Sequence, residues 1–304
     1  MPGSDILLTI FTPAYNRAHT LPRLYDSLLS QTDAGFEWLV VDDGSVDGTG
    51  NLVRDWAENG SPFPMRYIRQ ENAGKHVAHN RGAREARGQL FMCVDSDDWL
   101  EPDAVATIRR DAMALDAGAG LLYPRLFNAQ TALDASAWFP SGTAEVELAD
   151  MRMRYGLVIE TAIVFDAVAL RRHPFPVVRG ERYMPEGSAY YDFRAPEVFH
   201  VHPDCFYRCE YLEEGLTRNI WANWYHNPIG TKLALRKRYE AACRYRTVRG
   251  MRERVSAVVG IESLNMALGV DAEDGVPTDV ERITRFLCLP IARLVSSRRF
   301  GGSL

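Results

Sequence analysis

Short apolar runs that stop at polar clusters, each followed by a helical pattern, fill the first third of the chain. The runs are Ile6–Phe11, Phe36–Val41, Met65–Ile68 and Leu90–Val94. After them come Leu21, Leu24, Leu28 and Leu29 on one helical face behind Thr20, then Leu52, Val53 and Trp56 behind Gly48-Thr49. Helices are also expected from Lys75 to Ala86 and from Asp103 to Leu115, with a fifth strand from Gly120 to Leu126. This alternation predicts an α/β fold built on a doubly wound, mostly parallel sheet. Its site belongs at the carboxyl edge, where helix N-termini and loop amides converge. Pro13 is expected to end the first strand in a loop.

The second half is less regular. A polar loop spans about Asn128 to Gly142, Val158–Phe165 reads as a strand, and Asp166–Arg172 as a short helix. Pro174 and Pro176 break the chain, and Val198–Val201 and Cys205–Tyr211 read as short strands. From Thr231 the pattern is helical, apart from a polar break at Gly269–Thr278, and there is no internal repeat. The expected division is a domain over residues 1–215, in halves 1–125 and 126–215, and a helical extension over 216–304.

Length and composition narrow the class. With 304 residues, 46% hydrophobic and 25% charged, the chain has ample material for a large core. A net charge of −5 excludes a nucleic-acid binder that relies on bulk positive charge. The five cysteines form no Cys-x-x-Cys pair, which suits reduced thiols in a cytoplasmic protein. No secretory leader and no bilayer-spanning segment is expected. The tail from Val280 to Phe300 is basic and amphipathic. It fits peripheral contact with an anionic, cytoplasmic membrane face, or packing against its own domain or a second subunit.

The chemistry-bearing residues gather where strands end. Asp95, Asp97 and Asp98 follow the fourth strand and would repel one another unless a cation sat among them. Hard oxygen ligands there suit Mg²⁺ or Mn²⁺ and hence a diphosphate; the alternative is a solvated acidic turn before the next helix. Asp42-Asp43-Gly44-Ser45 ends the second strand, where a carboxylate could accept a base N–H or a ribose hydroxyl, or simply cap a turn. Lys75 at a helix start can neutralise phosphate, although Asn72-Ala-Gly-Lys75 is not a Walker sequence. His76 and His79 read as packing residues. His200 and His202 alternate along a strand and could reach the site or be half-buried. Trp221, Trp224, Tyr225 and His226 could stack a sugar or make core.

Taken together, Thr12-Pro-Ala-Tyr-Asn16, Val41-Asp-Asp-Gly-Ser45, Gly74-Lys-His76 with Asn80-Arg-Gly82, and Val94-Asp-Ser-Asp-Asp98 resemble the successive motifs of family 2 glycosyltransferases. The resemblance covers about the first 125 residues. It continues more weakly through Gly180–Glu186, Glu210–Thr217 and Asn227-Pro-Ile-Gly230, as in a bacterial subgroup with a helical C-terminal extension. It implies the GT-A fold, a nucleoside-diphosphate sugar donor (UDP-sugar above others), Mn²⁺ or Mg²⁺, inversion at the anomeric carbon, and a glycan or lipid-linked acceptor of cell-surface polysaccharide synthesis.

Carried over by position, Thr12, Pro13, Tyr15, Asp42, Asp43, Lys75, Asp95 and Ser96 would bind the nucleotide. Asp97, with Asp95, would hold the metal, while Asp98 would cap the following helix. The general base in such enzymes is an acceptor-side acid, often in a Glu-Asp pair, which is missing here. Glu186 after Pro185 takes that place first, Glu181 second and Asp192 third; Glu186 could equally be an ordinary first-turn acid. Two rival readings remain. A nucleotidyltransferase would need a Gly-rich loop where Thr12–Arg17 has no glycine. A non-catalytic nucleotide-sugar or glycan-binding module would have lost its base.

Overall fold

The computed structural model describes residues 6–113, 118–127, 130, 138–157, 159–210, 219–270, 275–277 and 282–300. Among them, ten strands are joined in one sheet. In chain order the strands and helices begin β1 (Leu8–Ala14), α1 (Leu21–Leu29), β2 (Phe36–Asp42), α2 (Thr49–Glu58), β3 (Met65–Arg69), α3 (Lys75–Glu85) and β4 (Leu90–Cys93). They continue with β5 (Trp99–Leu100), α4 (Ala104–Ala112), β6 (Gly120–Phe127), β7 (Glu145–Val146), α5 (Leu148–Asp150), β8 (Thr161–Asp166) and α6 (Ala167–Arg172). Then come α7 (Gly187–Tyr190), β9 (Phe199–Val201), β10 (Tyr207–Cys209), α8 (Ile220–His226), α9 (Pro228–Cys243), α10 (Val248–Leu268) and α11 (Arg282–Arg299).

The chain divides into two compact units. The first comprises Met1–Glu147, Leu157–Pro174 and Phe193–Tyr211, and holds the whole sheet. Strand order is β3-β2-β1-β4-β8-β6-β10-β5, with β9 beside β6 and β7 beside β9. The strands β1 to β4 are parallel, while β8 runs antiparallel to both β4 and β6. The half built from β1–β4 is therefore doubly wound and the other half mixed. The order reverses between β1 and β4, so the switch point lies at the ends that carry Tyr15 and Asp95.

The core explains the register. Leu8, Ile10, Ala14, Trp38, Val40 and Met92 point to one face, where Leu21, Leu24, Leu28 and Val53 of α1 and α2 cover them. Tyr25 stacks on Trp56 with centroids 4.3 Å apart and on Trp38 at 5.8 Å. Such aromatic pairs contribute about 1 kcal/mol each beyond simple burial. The charge of Glu37 is buried among these strands, accepting from the Thr9 hydroxyl and the Arg87 N–H, both at 2.8 Å.

Pro13 does not end β1, which runs on to Ala14 in register with Asp42. The carbonyls of Leu7 and Phe11 accept from β4-side amides, whereas that of Ala14 accepts from Asp43 beside β2. Odd-numbered residues of β1 thus face β4, and pairing with β4 stops at Phe11–Cys93. The absent N–H of Pro13 falls where no partner strand remains, so the ladder loses nothing. The helix expected from Asp103 begins at Ala104, and its end toward Leu115 lies outside the described residues. Residues 211–218, which include most of the Glu210–Thr217 motif, also lie outside them.

The second unit comprises Leu148–Gly156, Phe175–Asp192 and Leu212–Leu304. The segments 148–156 and 175–192 thus group with the helices rather than with the sheet. Tyr239, Val258, Val259, Cys288 and Ala292 join α9, α10 and α11. In the aromatic cluster Trp221 meets Trp224 at 5.0 Å and the buried Phe300 at 5.7 Å, while the other residues of α8 stay half-buried and His226 is exposed. No helix among the described residues is long and apolar enough to cross a membrane.

Burial sets a pH limit on this fold. His79 is buried edge-on against Phe11 and Phe91, and this desolvation, with Lys75 nearby, lowers its pKa to about 3. A histidine whose folded pKa lies below its unfolded one adds stability above about 6.5 that is lost as pH falls toward 3. Stability should therefore fall below pH 6.5 with a limiting slope of about 1.4 kcal/mol per pH unit from this residue. Urea melts from pH 7 to 4 check this, and His79→Gln should flatten the slope if it folds as stably at pH 7.

Candidate active site

The site is assembled where β1, β2 and β4 end. Asn16 takes a positive φ of 55°, which asparagine tolerates better than most residues. Its N–H donates to Ser45 Oγ at 2.8 Å, and its Oδ1 accepts from the Val46 N–H at 2.9 Å. That reciprocal pair ties the loop after β1 to the loop after β2. Tyr15 stands 48% exposed beside it, with a ring face open to stacking. Thr12, by contrast, points inward: it is fully buried and its hydroxyl accepts from the Trp38 indole N–H at 3.0 Å. In this position it supports the strand. Pro13 is also buried.

The two aspartates after β2 do different work. Asp42 accepts from the Ser45 N–H (2.7 Å) and the Tyr67 hydroxyl (2.5 Å), beside a polar cavity of about 160 Å³ that Arg54 and Arg69 also line. Burial and the adjacent Asp42 carboxylate push the Tyr67 hydroxyl up to about 12. Asp43 gathers the next loop, accepting from Gln70 Nε2 (2.7 Å), the Ala73 N–H (2.9 Å) and the Gly74 N–H (2.8 Å). Gly74, at φ 99°, then turns the chain so that α3 starts at Lys75. Next to it His76 is buried, and among the described residues neither ring nitrogen finds a hydrogen-bond partner.

Lys75 reaches across to β4: its Nζ donates to Asp95 Oδ1 at 2.6 Å. Burial alone would raise the Asp95 carboxyl, but Lys75, Arg125 and Arg17 together hold it below the usual range. Asp98 has a different environment. Its Oδ2 accepts from the Tyr207 hydroxyl at 2.7 Å, and that hydroxyl in turn accepts from the Asp95 N–H at 3.1 Å. Arg125 lies 4.1 Å over the Tyr207 ring, 3.8 Å from Asp98 and 3.6 Å from Glu160. Burial and the charge of Asp95 nevertheless push Asp98 up to about 8. Asp98 therefore does not cap a helix: α4 starts six residues later, after Asp103. Ser96 is buried between these acids.

Asp97 is the exception. It is half-buried, and among the described residues no hydrogen bond or ion pair engages its carboxylate. Its backbone carbonyl accepts from Arg23, which pairs with Glu210 at 2.8 Å and covers the Trp99 ring at 4.1 Å. The donor set suits a hard divalent cation: a carboxylate without a partner among the described residues, with a second carboxylate two residues away.

A second acidic group, Asp111, His202 and Asp204, also has ligand-like spacing. Arg110 already occupies it, donating to both Asp111 oxygens at 2.8 and 3.0 Å and to Asp204 at 3.1 Å. His202 stacks on Tyr123, and His200 lies 3.6 Å from Glu145, so neither joins the acids after β4.

The candidate bases lie in the second unit. Glu181 is fully committed: its Oε1 accepts from the Ile229 N–H and its Oε2 from the Gly230 N–H, both at 2.7 Å, which satisfies the exposed amides of α9. Asn227 answers it, its Oδ1 accepting from the Arg182 and Tyr183 amides at 2.8 and 3.1 Å. A Cβ at Gly230 would lie 2.7 Å from Met184 Cε and 3.0 Å from Glu181 Oε2, so a larger residue there would have to displace these side-chain ends. The motifs at 180–186 and 227–230 are thus two halves of one latch. Asp192 is paired with Lys237 at 2.6 Å. Glu186 follows Pro185 at the start of α7; its side chain makes no capping bond and is exposed.

Several of these residues escaped the sequence reading. Arg125 carried a usable signal, as the one charge inside the apolar run Leu121–Phe127. Tyr207, Gln70 and Arg23 carried none, because their roles depend on which strands become neighbours. Removing the hydroxyl in Tyr207→Phe should leave the Asp95 amide and Asp98 short of partners and cost about 1–3 kcal/mol, measured by denaturant unfolding.

Residues 9–119 match the profile of Glycosyl transferase family 2. Over 104 residues the chain is 38% identical to the glycosyltransferase GlyA of Streptococcus pneumoniae, a match covering 34% of this chain and 15% of that protein. Among solved structures, residues 1–349 of S. aureus TarS in complex with UDP-GlcNAc align with a TM-score of 0.56 at 15% identity, over 96% of this chain and 92% of that one. The mannosyltransferase PcManGT of Pyrobaculum calidifontis, in complex with GDP-Man and Mn²⁺, aligns with a TM-score of 0.54 at 18% identity, over 95% and 80%. These likenesses show the fold. Residues 9–119 thus carry the glycosyl transferase family 2 profile, within a chain whose fold is that of these GT-A-like neighbours.

Proposed function

We propose that the chain is an inverting glycosyltransferase that moves a sugar from a nucleoside-diphosphate sugar to a hydroxyl of a glycan or lipid-linked acceptor. The observation that carries this reading is the strand-end arrangement of Asp97, Asp95 and Lys75 at the switch point of the sheet. UDP is the preferred nucleotide, since the aligned TarS structure holds UDP-GlcNAc, although PcManGT holds GDP-Man. Tyr15 and the loop tied down by Asp43 bind the nucleoside. Asp97 and Asp95 would hold Mn²⁺ or Mg²⁺, which when bound would supply positive charge for the diphosphate leaving group.

Each protein group has a physical part. Lys75, at the positive end of α3 and 2.6 Å from Asp95, would offer its ammonium to phosphate oxygen. Arg125 and Tyr207 fix Asp98 and the Asp95 backbone, so the acids need not rearrange when the donor binds. In the second unit Glu186 accepts the proton from the acceptor hydroxyl as the new bond forms. Its carboxylate is exposed and uncapped, whereas both oxygens of Glu181 are consumed by α9. Glu181 therefore leaves the catalytic list and becomes structural.

The test is transfer from a panel of UDP- and GDP-sugars with Mn²⁺ to glycan and lipid-linked acceptors, with products identified by mass spectrometry. Glu186→Gln should lower kcat at least a hundredfold while donor affinity changes little. Turnover that survives this substitution would move the base elsewhere, and absence of transfer from every donor would favour the binding module.

A further inference from the structure

Independently of the reaction, the corner between α9 and α10 in the second unit combines two features that a water-facing surface has no use for. Val248 is 79% exposed and Met251 53% exposed, on the first turn of α10. Around them Arg244, Arg246, Arg249 and Arg252 are all exposed. The corner is built tightly: Thr247 Oγ1 accepts from the Gly250 N–H at 3.0 Å, and a Cβ at Gly250 would lie 2.3 Å from the Tyr245 carbonyl oxygen. Apolar and basic side chains are thus carried on a fixed turn.

Among the described residues no acid pairs with Arg246 or Arg252, while Arg249 donates to the Arg154 carbonyl at 2.7 Å. Glu253, next in sequence, is taken by Arg238 and lies 3.7 Å from Arg152. Asp150 accepts from the Tyr245 hydroxyl at 2.8 Å. The first turn of α10 contains no acidic residue, although the helix dipole favours acids there and disfavours arginines. This concentration of positive charge sits in a chain whose net charge is −5.

We propose that this corner docks on an anionic phospholipid surface, the arginines pairing with headgroup phosphates and Val248 and Met251 entering the headgroup–acyl boundary. Charge complementarity selects an anionic partner, and the protruding aliphatic side chains select a bilayer over a soluble polyanion, which would leave them in water. The sequence had pointed instead to the tail. In α11, Cys288 and Ala292 pack into the unit's own core, while Leu287, Ile291 and Leu294 stay exposed on another face. Of the cations on that helix, Arg299 at its end already covers the Trp221 ring at 5.1 Å.

The experiment is co-sedimentation of the full chain with phosphatidylcholine vesicles containing 30% phosphatidylglycerol, beside pure phosphatidylcholine, at about 0.1 and 0.5 M salt. Binding is expected to the anionic vesicles only and to weaken at high salt. Arg246→Gln with Arg252→Gln should lower the partition coefficient about thirtyfold, roughly fivefold per arginine. Val248→Ser with Met251→Ser should lower it severalfold at unchanged charge. Melting temperatures equal to that of the parent chain keep the comparison clean. Equal binding to both vesicle types, unchanged binding in both double variants, or loss only on Leu287→Ser with Ile291→Ser and Leu294→Ser would overturn the proposal. So would Val248→Ser/Met251→Ser binding as tightly as the parent while soluble polyphosphate competes fully, since that marks a polyanion site.

Discussion

Three carboxylates within four residues of a strand end are the constraint around which the first unit is arranged. Left together in a half-buried place they would repel strongly, so each receives a different answer. Lys75 stands against Asp95, Tyr207 and Arg125 hold Asp98, and Asp97 keeps its carboxylate outside every described bond. The elements that supply these partners come from across the sheet: α3 brings Lys75, β6 brings Arg125 and β10 brings Tyr207. The mixed half of the sheet thus serves the acids as well as the core. Without β6 and β10 beside the parallel strands, Asp98 would be a buried acid with no donor.

The loops follow the same logic of one group fixing the next. Asp43 fixes residues 70–74, Gly74 turns the chain, and α3 then begins with Lys75 aimed at β4. In the second unit the exchange between Glu181 and the α9 amides, answered by Asn227, fixes the segment that ends in Pro185 and Glu186. An acid with both oxygens occupied and an exposed acid five residues on have plainly different parts to play. The structure separates two glutamates that spacing alone left side by side.

Much of this was legible in the sequence. The parallel half of the sheet could be read because each strand is a compact apolar run with a polar stop, and the motif acids fall at those stops. Pro13 misled, since its effect depends on which side of β1 still has a neighbour, and that is a property of the sheet. Thr12 misled for a similar reason: its hydroxyl meets the Trp38 indole only after β1 and β2 pair. Strands of two or three residues, such as β5 and β10, leave no periodic trace, so the partners of Asp98 could not be foreseen. That Phe300, far along the chain, packs against Trp221 and Tyr225 is likewise invisible in their local spacing.

In the proposed reaction Asp97, unengaged among the described residues, and its neighbour Asp95 would bind a metal–diphosphate pair. The most direct measurement is a thermal-shift titration with UDP in the presence and absence of Mn²⁺, on the parent chain and on Asp97→Ala. A ligand that binds only the folded state raises the melting temperature with its occupancy. The account predicts stabilisation by UDP that requires Mn²⁺ and disappears in Asp97→Ala. Stabilisation by UDP that ignores both the metal and the substitution, in well-folded protein, would contradict it.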